Sequence, residues 1–114
     1  MSHDLVRSMF RAVDARDWVG LGALFHPELR YDRPGFAPLL GREEVLRFYR
    51  EVRTIHGSHQ LEAIVVEGDH GATWGRFVGA TADGTALDLQ FADCYGFRDG
   101  LLARRKSFFF VAQV

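Results

Sequence analysis

The sequence predicts a single α+β domain, in which three helices of the N-terminal half cover one face of a curved antiparallel sheet formed by the C-terminal half. Two observations lead to this prediction. Apolar residues recur at helical spacing before residue 53. From residue 60 onward, apolar runs are separated by short turns that contain glycine, which is typical of β-hairpins. No linker, repeat or low-complexity segment divides the chain, so we expect one domain over residues 1–114.

The helical half contains three amphipathic segments. The first covers roughly residues 3 to 16, where apolar side chains repeat three and four positions apart. The second is DWVGLGALF, with Asp17 as its predicted N-cap. The third is REEVLRFYREVR, which begins with acids, as the helix dipole favours. Between the second and third helices we expect a proline-containing stop, a short extended piece and a loop: HPE, LRYD and RPGFAPLLG.

The second half is predicted to form a four-stranded antiparallel meander. Glycines inside the strands, Gly75, Gly79 and Gly96, indicate bends that let the sheet curl. A curled sheet closed by amphipathic helices forms a cone with an internal hydrophobic pocket. The four predicted strands are QLEAIVVE, ATWGRFVGAT, TALDLQFADCYGF and LLARRKSFFFVAQV.

Composition limits the classes of function. The net charge is −1 and the longest basic run, ARRKS, has three charges, which argues against a nucleic-acid partner. The sequence has no apolar run long enough to span a membrane, and its charged N-terminus does not resemble a signal peptide. The only cysteine, Cys94, cannot form an intrachain disulfide, so we expect a cytoplasmic protein.

The sequence contains no pattern typical of a cofactor or metal site. It has no dinucleotide fingerprint and no phosphate-binding loop. His56 and His59, in HGSH, fall in a predicted loop without an acid or cysteine at ligand spacing. We therefore expect neither a cofactor nor a metal ion.

An acid interrupts the apolar face of the third predicted strand. The odd-numbered residues from Leu87 to Phe97 fall on one face of a strand, and all are bulky and apolar or aromatic except Asp93. An acid without a partner in an apolar cavity usually stays protonated and could donate a hydrogen bond to a developing oxyanion. A bond from a nearby arginine, such as Arg76, or from a tyrosine would instead make Asp93 structural. The pattern alone does not decide between the two.

A second acid, Asp32 in YDRPG, ends the short extended piece just before a Pro-Gly loop. An aspartate in this position commonly caps a turn. Together, an ionised Asp32 and a protonated Asp93 would form a base and a hydrogen-bond donor, each set by its own environment.

These residues resemble those of bacterial ketosteroid isomerases and the related SnoaL-like proteins, within the nuclear transport factor 2-like superfamily. The similarity lies in ALFHPELRYDRPGFAPLLGREEVLRFY, residues 23–49, and in FADCYGFRDG, residues 91–100. The resemblance implies a cone-shaped α+β fold, a cofactor-free isomerase or polyketide cyclase, Asp32 as the catalytic base and protonated Asp93 as the oxyanion donor. Met9 stands where the isomerases have an oxyanion-binding tyrosine, which departs from the family pattern.

The predicted function is therefore a proton transfer α to the carbonyl group of a small apolar substrate. The alternatives are a module that binds an apolar ligand without catalysis and a protein-interaction domain. We also expect a homodimer through the outer sheet face, because Phe108 and Phe110 share a strand face with Arg104 and Lys106. The residues predicted to line the substrate pocket are Met9, Tyr31, Tyr49, Trp74, Phe91 and Tyr95.

Overall fold

The computed structural model describes residues 2–110. The helices in that range are α1 (Ser2–Ala15), α2 (Trp18–Gly22) and α3 (Arg42–Arg47), and α3 continues as a π-helical turn over Phe48–Val52. The strands are β1 (Phe25–Asp32), β2 (Leu39–Leu40), β3 (His56–Glu67), β4 (His70–Ala80), β5 (Ala86–Arg98) and β6 (Leu101–Phe110). The predicted α+β class is confirmed. The last four residues of the fourth predicted strand, 111–114, lie outside the described residues.

The strands form one curved sheet in the order β2-β1-β6-β5-β4-β3. Strands β3 to β6 make the predicted antiparallel meander. β1 lies parallel to β6, which is possible because α3 and most of the meander separate the two strands along the chain. Among the described residues β2 and β3 are the two edges and do not pair with each other, so the sheet stays open.

Glycines and register shifts produce the curvature, as the sequence predicts. A Cβ atom on Gly75 or Gly79 would collide with backbone atoms of β3, so glycine allows the close approach of the two strands. The register between β3 and β4 shifts between Leu61 and Ala63. The register between β5 and β6 shifts immediately after Gly96. Such irregularities bend a strand and increase its twist.

Helix α1 covers the concave inner face of the sheet, and it packs against β3. Its apolar side chains are buried there, and each large one stabilises the fold by roughly 1.5–3 kcal/mol relative to exposure. Asp17 caps α2 as predicted, because its carboxylate accepts a hydrogen bond from the Gly20 amide at 2.9 Å. The buried residues of α1 are Val6, Met9, Phe10, Ala12 and Val13.

Two predicted boundaries are wrong. Pro27 does not stop a helix but lies within β1. The ladder between β1 and β6 is interrupted between Phe25 and Arg30, so the missing amide hydrogen of Pro27 breaks no rung there. His59 also lies in a strand rather than a loop, because β3 begins at His56 and pairs with β4 from that residue onward.

Candidate active site

An internal cavity of about 140 Å³ lies between the inner face of the sheet and the π-helical turn. This size suits a single aromatic ring, since an engineered cavity of about 150 Å³ binds benzene. It is smaller than the roughly 300–1,000 Å³ of sites for drug-sized ligands. The apolar wall is formed by Ile55, Phe77, Leu89, Phe91 and Phe109.

Asp93 lies at the polar end of this cavity and is 1% exposed. Its carboxylate accepts three hydrogen bonds, from Arg105 Nε at 2.8 Å, Ser107 Oγ at 2.6 Å and Tyr95 OH at 3.0 Å. A carboxylate whose oxygens accept from three donors, one of them a guanidinium, acts as a hydrogen-bond acceptor and is not placed to donate to a ligand. Asp93 faces inward, as the strand alternation predicts, but its contacts favour the structural interpretation over the role of hydrogen-bond donor to an oxyanion.

A chain of hydroxyl groups extends the network around Asp93. Ser107 has one hydroxyl hydrogen and donates it to Asp93, so Tyr31 OH is the donor in its 3.0 Å bond to Ser107 Oγ. Burial raises the pKa of Tyr31 above its ordinary value, and burial with the adjacent Asp93 charge does the same for Tyr95. Both tyrosines therefore remain neutral donors at any ordinary pH.

Arg105 connects this network to the π-helical turn. Its Nη1 donates to Tyr49 OH at 2.6 Å, and its guanidinium carbon lies 4.5 Å from the centre of the Tyr31 ring. Burial alone would lower the pKa of Arg105, but the Asp93 charge raises it well above its ordinary value. Tyr49 accepts from Arg105 and makes no other hydrogen bond among the described residues, so its own hydroxyl hydrogen is available to a ligand.

Asp32 is not in this cavity. Neighbouring residues of a strand point to opposite faces, and Tyr31 takes the inward one. Asp32 lies on the outer face, in an open groove that it shares with Arg104 and Lys106. Arg30 donates to its carboxylate at 3.1 Å, and this bond lowers the pKa of Asp32. The structure therefore does not bring Asp32 and Asp93 together, although the predicted two-acid mechanism requires one site for both.

The other residues predicted to line the pocket divide into three groups. Tyr31, Tyr49 and Phe91 do line the cavity. Met9 and Tyr95 are buried nearby without lining it, Met9 in the core and Tyr95 as a donor to Asp93. Trp74 does not line it, because it lies on the outer face of β4 and is 42% exposed.

His59 lines the cavity, and Asp14 at the end of α1 holds it in place. The two oxygens of Asp14 accept from the backbone nitrogen of His59 at 2.9 Å and from its ring Nδ1 at 2.6 Å. The hydrogen of the neutral ring is therefore on Nδ1, which leaves a lone pair on Nε2. Burial lowers the pKa of His59, although the bond to Asp14 opposes the shift. Nε2 makes no hydrogen bond within residues 2–110.

Sequence reasoning missed the charged lining of the cavity. Arg105 alternates along β6 with the exposed Arg104 and Lys106, and this alternation was a signal that it faces inward. The contact between Asp14 and His59 joins residues 45 positions apart, so no local pattern could reveal it. Within the described residues, no three His, Cys, Asp or Glu side chains form a group that could hold a metal ion, and no helix is long and apolar enough to cross a membrane.

Comparison with known proteins agrees with this architecture. The sequence profile of the SnoaL-like domain matches residues 6–105. The chain belongs to this family. A comparison of the sequence with curated proteins gives no match.

Three solved structures illustrate the fold. An NTF2-like protein of unknown function from Burkholderia pseudomallei is 21% identical, with a TM-score of 0.86 over 95% of this chain and 89% of its own. A candidate ketosteroid isomerase from Kribbella flavida is 23% identical, with a TM-score of 0.80 over 97% of this chain and 78% of its own. A candidate SnoaL-like polyketide cyclase from Jannaschia sp. is 18% identical, with a TM-score of 0.82 over 93% of this chain and 83% of its own. At these identities the similarity establishes the cone-shaped NTF2-like fold, which confirms the resemblance found in the sequence.

Proposed function

We propose that this protein is a cofactor-independent enzyme that transfers a proton α to the carbonyl group of a small apolar substrate, with His59 as the general base. The observation that carries the proposal is the pair of Asp14 and His59 at the cavity wall. Asp14 fixes the tautomer, so the Nε2 lone pair is free to take a proton. Burial lowers the pKa of His59, which keeps the ring in the neutral, basic form at neutral pH.

Tyr49 is the proposed oxyanion donor in place of Asp93. Its hydroxyl accepts from the Arg105 guanidinium, which polarises it, and its own hydrogen has no acceptor among the described residues. A donor held in place beside a buried cation is suited to stabilise negative charge that develops on a carbonyl oxygen. Tyr49 and His59 line the same small cavity, so one substrate can contact both.

The proposed step moves one proton and one electron pair. His59 Nε2 removes the α proton, the electron pair moves into an enolate, and Tyr49 donates a hydrogen bond to the enolate oxygen. Return of the proton to another carbon gives isomerisation, while attack of the enolate carbon on a second carbonyl gives an aldol-type cyclisation. Structural neighbours described as candidates for both activities agree with this chemistry.

The experiment uses NMR to measure how fast acetophenone and phenylpyruvate take up deuterium from the solvent at the carbon α to the carbonyl. His59→Asn is the informative variant, because the asparagine amide can still donate to Asp14 while Nε2 is lost. A general base contributes roughly 10²–10⁴-fold, so we expect at least a hundredfold loss in this variant. The matched control His56→Asn, on the exposed start of β3, should retain activity. A loss in Asp32→Asn with His59→Asn active would instead make Asp32 the base, in the outer groove.

The alternative function is a module that binds an apolar ligand without catalysis. The pairing of Asp93 with Arg105 favours this alternative. Asp93 is the residue expected from the sequence to stabilise an oxyanion, but its oxygens already accept hydrogen bonds from other residues. Ligand binding in the cavity together with no exchange above the solution rate would support this alternative.

A further inference from the structure

The cavity contains more positive charge than the described residues neutralise. Three guanidinium groups line it, those of Arg33, Arg53 and Arg105. The one carboxylate among the described lining residues is Asp93, which pairs with Arg105 at 2.8 Å. Neither of the other two arginines has an ion-pair partner within residues 2–110. Both are half-buried, and charges withdrawn from water are normally paired, so this surplus indicates a ligand that supplies negative charge.

One N–H donor of Arg33 lacks an acceptor among the described residues. Its Nε atom is buried and has no partner among the described residues. The guanidinium is held over aromatic rings instead, with its carbon 5.0 Å from the centre of Phe48 and 5.8 Å from that of Tyr31. The rings fix the orientation of the group, and its N–H donors make no hydrogen bond within residues 2–110. A guanidinium presents donors in a fork that matches a carboxylate.

Arg53 has a similar environment, over the ring of Tyr49. Its Nη1 donates only to the Ile55 carbonyl, at 3.3 Å, and its guanidinium carbon lies 5.5 Å from the centre of Tyr49. Burial lowers the pKa of Arg53, and repulsion from Arg33 and Arg105 adds to the effect. An anion between these cations would remove the repulsion.

We propose that the cavity binds a small aromatic carboxylate, whose carboxylate group is held by Arg33 and Arg53 and whose ring packs against Phe77 and Phe91. The apolar wall and the volume of about 140 Å³ limit the body of the ligand to about one ring. The inference rests on the proposed function in one respect, that substrate and ligand share this cavity. Binding can be measured without turnover, so the two can fail separately.

The test is calorimetric titration at pH 7 and about 0.15 M salt with benzoate, and with benzamide as the uncharged isostere. We expect benzoate to bind at least tenfold more tightly than benzamide. Arg33→Gln should lose at least tenfold in benzoate affinity and leave benzamide unaffected. The matched control is Arg50→Gln, which removes the same charge from the exposed side of the π-helical turn and should bind benzoate as the wild type does. Inorganic phosphate, an anion without a ring, should bind at least tenfold more weakly than benzoate.

Several outcomes overturn the proposal. These are no binding of benzoate to the folded wild type, equal affinity for benzoate and benzamide, equal loss in Arg33→Gln and Arg50→Gln, or phosphate binding as tightly as benzoate. Arg53→Gln should show the same loss of benzoate affinity as Arg33→Gln, and if it does not fold, Arg33→Gln alone decides. His59→Asn separates this proposal from the proposed function, because it leaves both arginines in place and should keep the preference for benzoate over benzamide. Retained binding with unchanged proton exchange would overturn His59 as the base and leave the anion site supported.

Discussion

On the inner face of the sheet, Asp93 is 1% exposed and accepts three hydrogen bonds, whereas on the outer face the Asp32 side chain is 25% exposed and is paired with Arg30. Both acids interact with an arginine, but water solvates only one of the pairs. A buried pair is costly to break because the remaining charge has no solvent to stabilise it. A solvated pair contributes little, since water and salt screen it. Two acids that look equivalent in the sequence therefore have different physical roles.

The largest effect is expected for Asp93→Asn. This substitution leaves the buried Arg105 without its counter-charge, so we expect a loss of about 3–5 kcal/mol in the free energy of unfolding. Chemical denaturation of the variant measures it. Asp88→Asn is the control on the same strand, where the carboxylate is exposed beside Arg76. Similar losses in the two variants would show that Asp93 is not the anchor of the buried network.

The apolar part of the outer face supplies the second test. Trp74, Phe108 and Phe110 are 42%, 46% and 74% exposed there, which supports the proposed homodimer. Phe108→Glu should weaken dimerisation by about 2 kcal/mol or more, the effect of losing a central contact. Sedimentation at tens of micromolar measures the change. The control Val19→Glu alters an exposed apolar residue of α2 and should leave the dimer intact. A wild-type monomer at this concentration would contradict the proposed homodimer.

The third test uses pH to separate the buried histidine from an exposed one. Burial lowers the pKa of His59 below 6.5, the value expected in the unfolded chain. Between the folded-state and unfolded-state pKa of His59, the unfolded chain binds more protons than the folded one. The free energy of unfolding therefore falls as the pH drops below about 6.5. For one proton the fall is at most about 1.4 kcal/mol per pH unit. The decline stops below the folded-state pKa. His59→Asn should flatten this slope and His56→Asn should not. Equal slopes in the two variants would contradict a buried neutral His59.

The sequence predicted the sheet and one side of the site. Alternation in β5 is sufficient to place Asp93 inside, because strand geometry alone assigns the faces. The register that sets Ser107 opposite Asp93 depends on the turn and the bulge after Gly96, which alternation does not reveal. Asp32 was assigned by its place in a motif, but a displacement of one residue exchanges the two faces of a strand. The inward residue at that point is Tyr31.

The smallest effect is expected for Asp32→Asn. The bond from Arg30 lowers the pKa of Asp32, so its contribution to stability is present above the unfolded-state pKa and is lost as the pH falls through the folded value. Because both partners are in contact with solvent, that contribution is screened, and we expect no measurable change in the free energy of unfolding at neutral pH. Proton exchange on the carbonyl substrates should also be unchanged, since Asp32 lies outside the cavity. If Asp32→Asn keeps the wild-type free energy of unfolding but loses proton exchange on the substrates, the assignment of His59 as the base is contradicted. That result would also require the outer groove at Asp32, rather than the internal cavity, to bind the substrate.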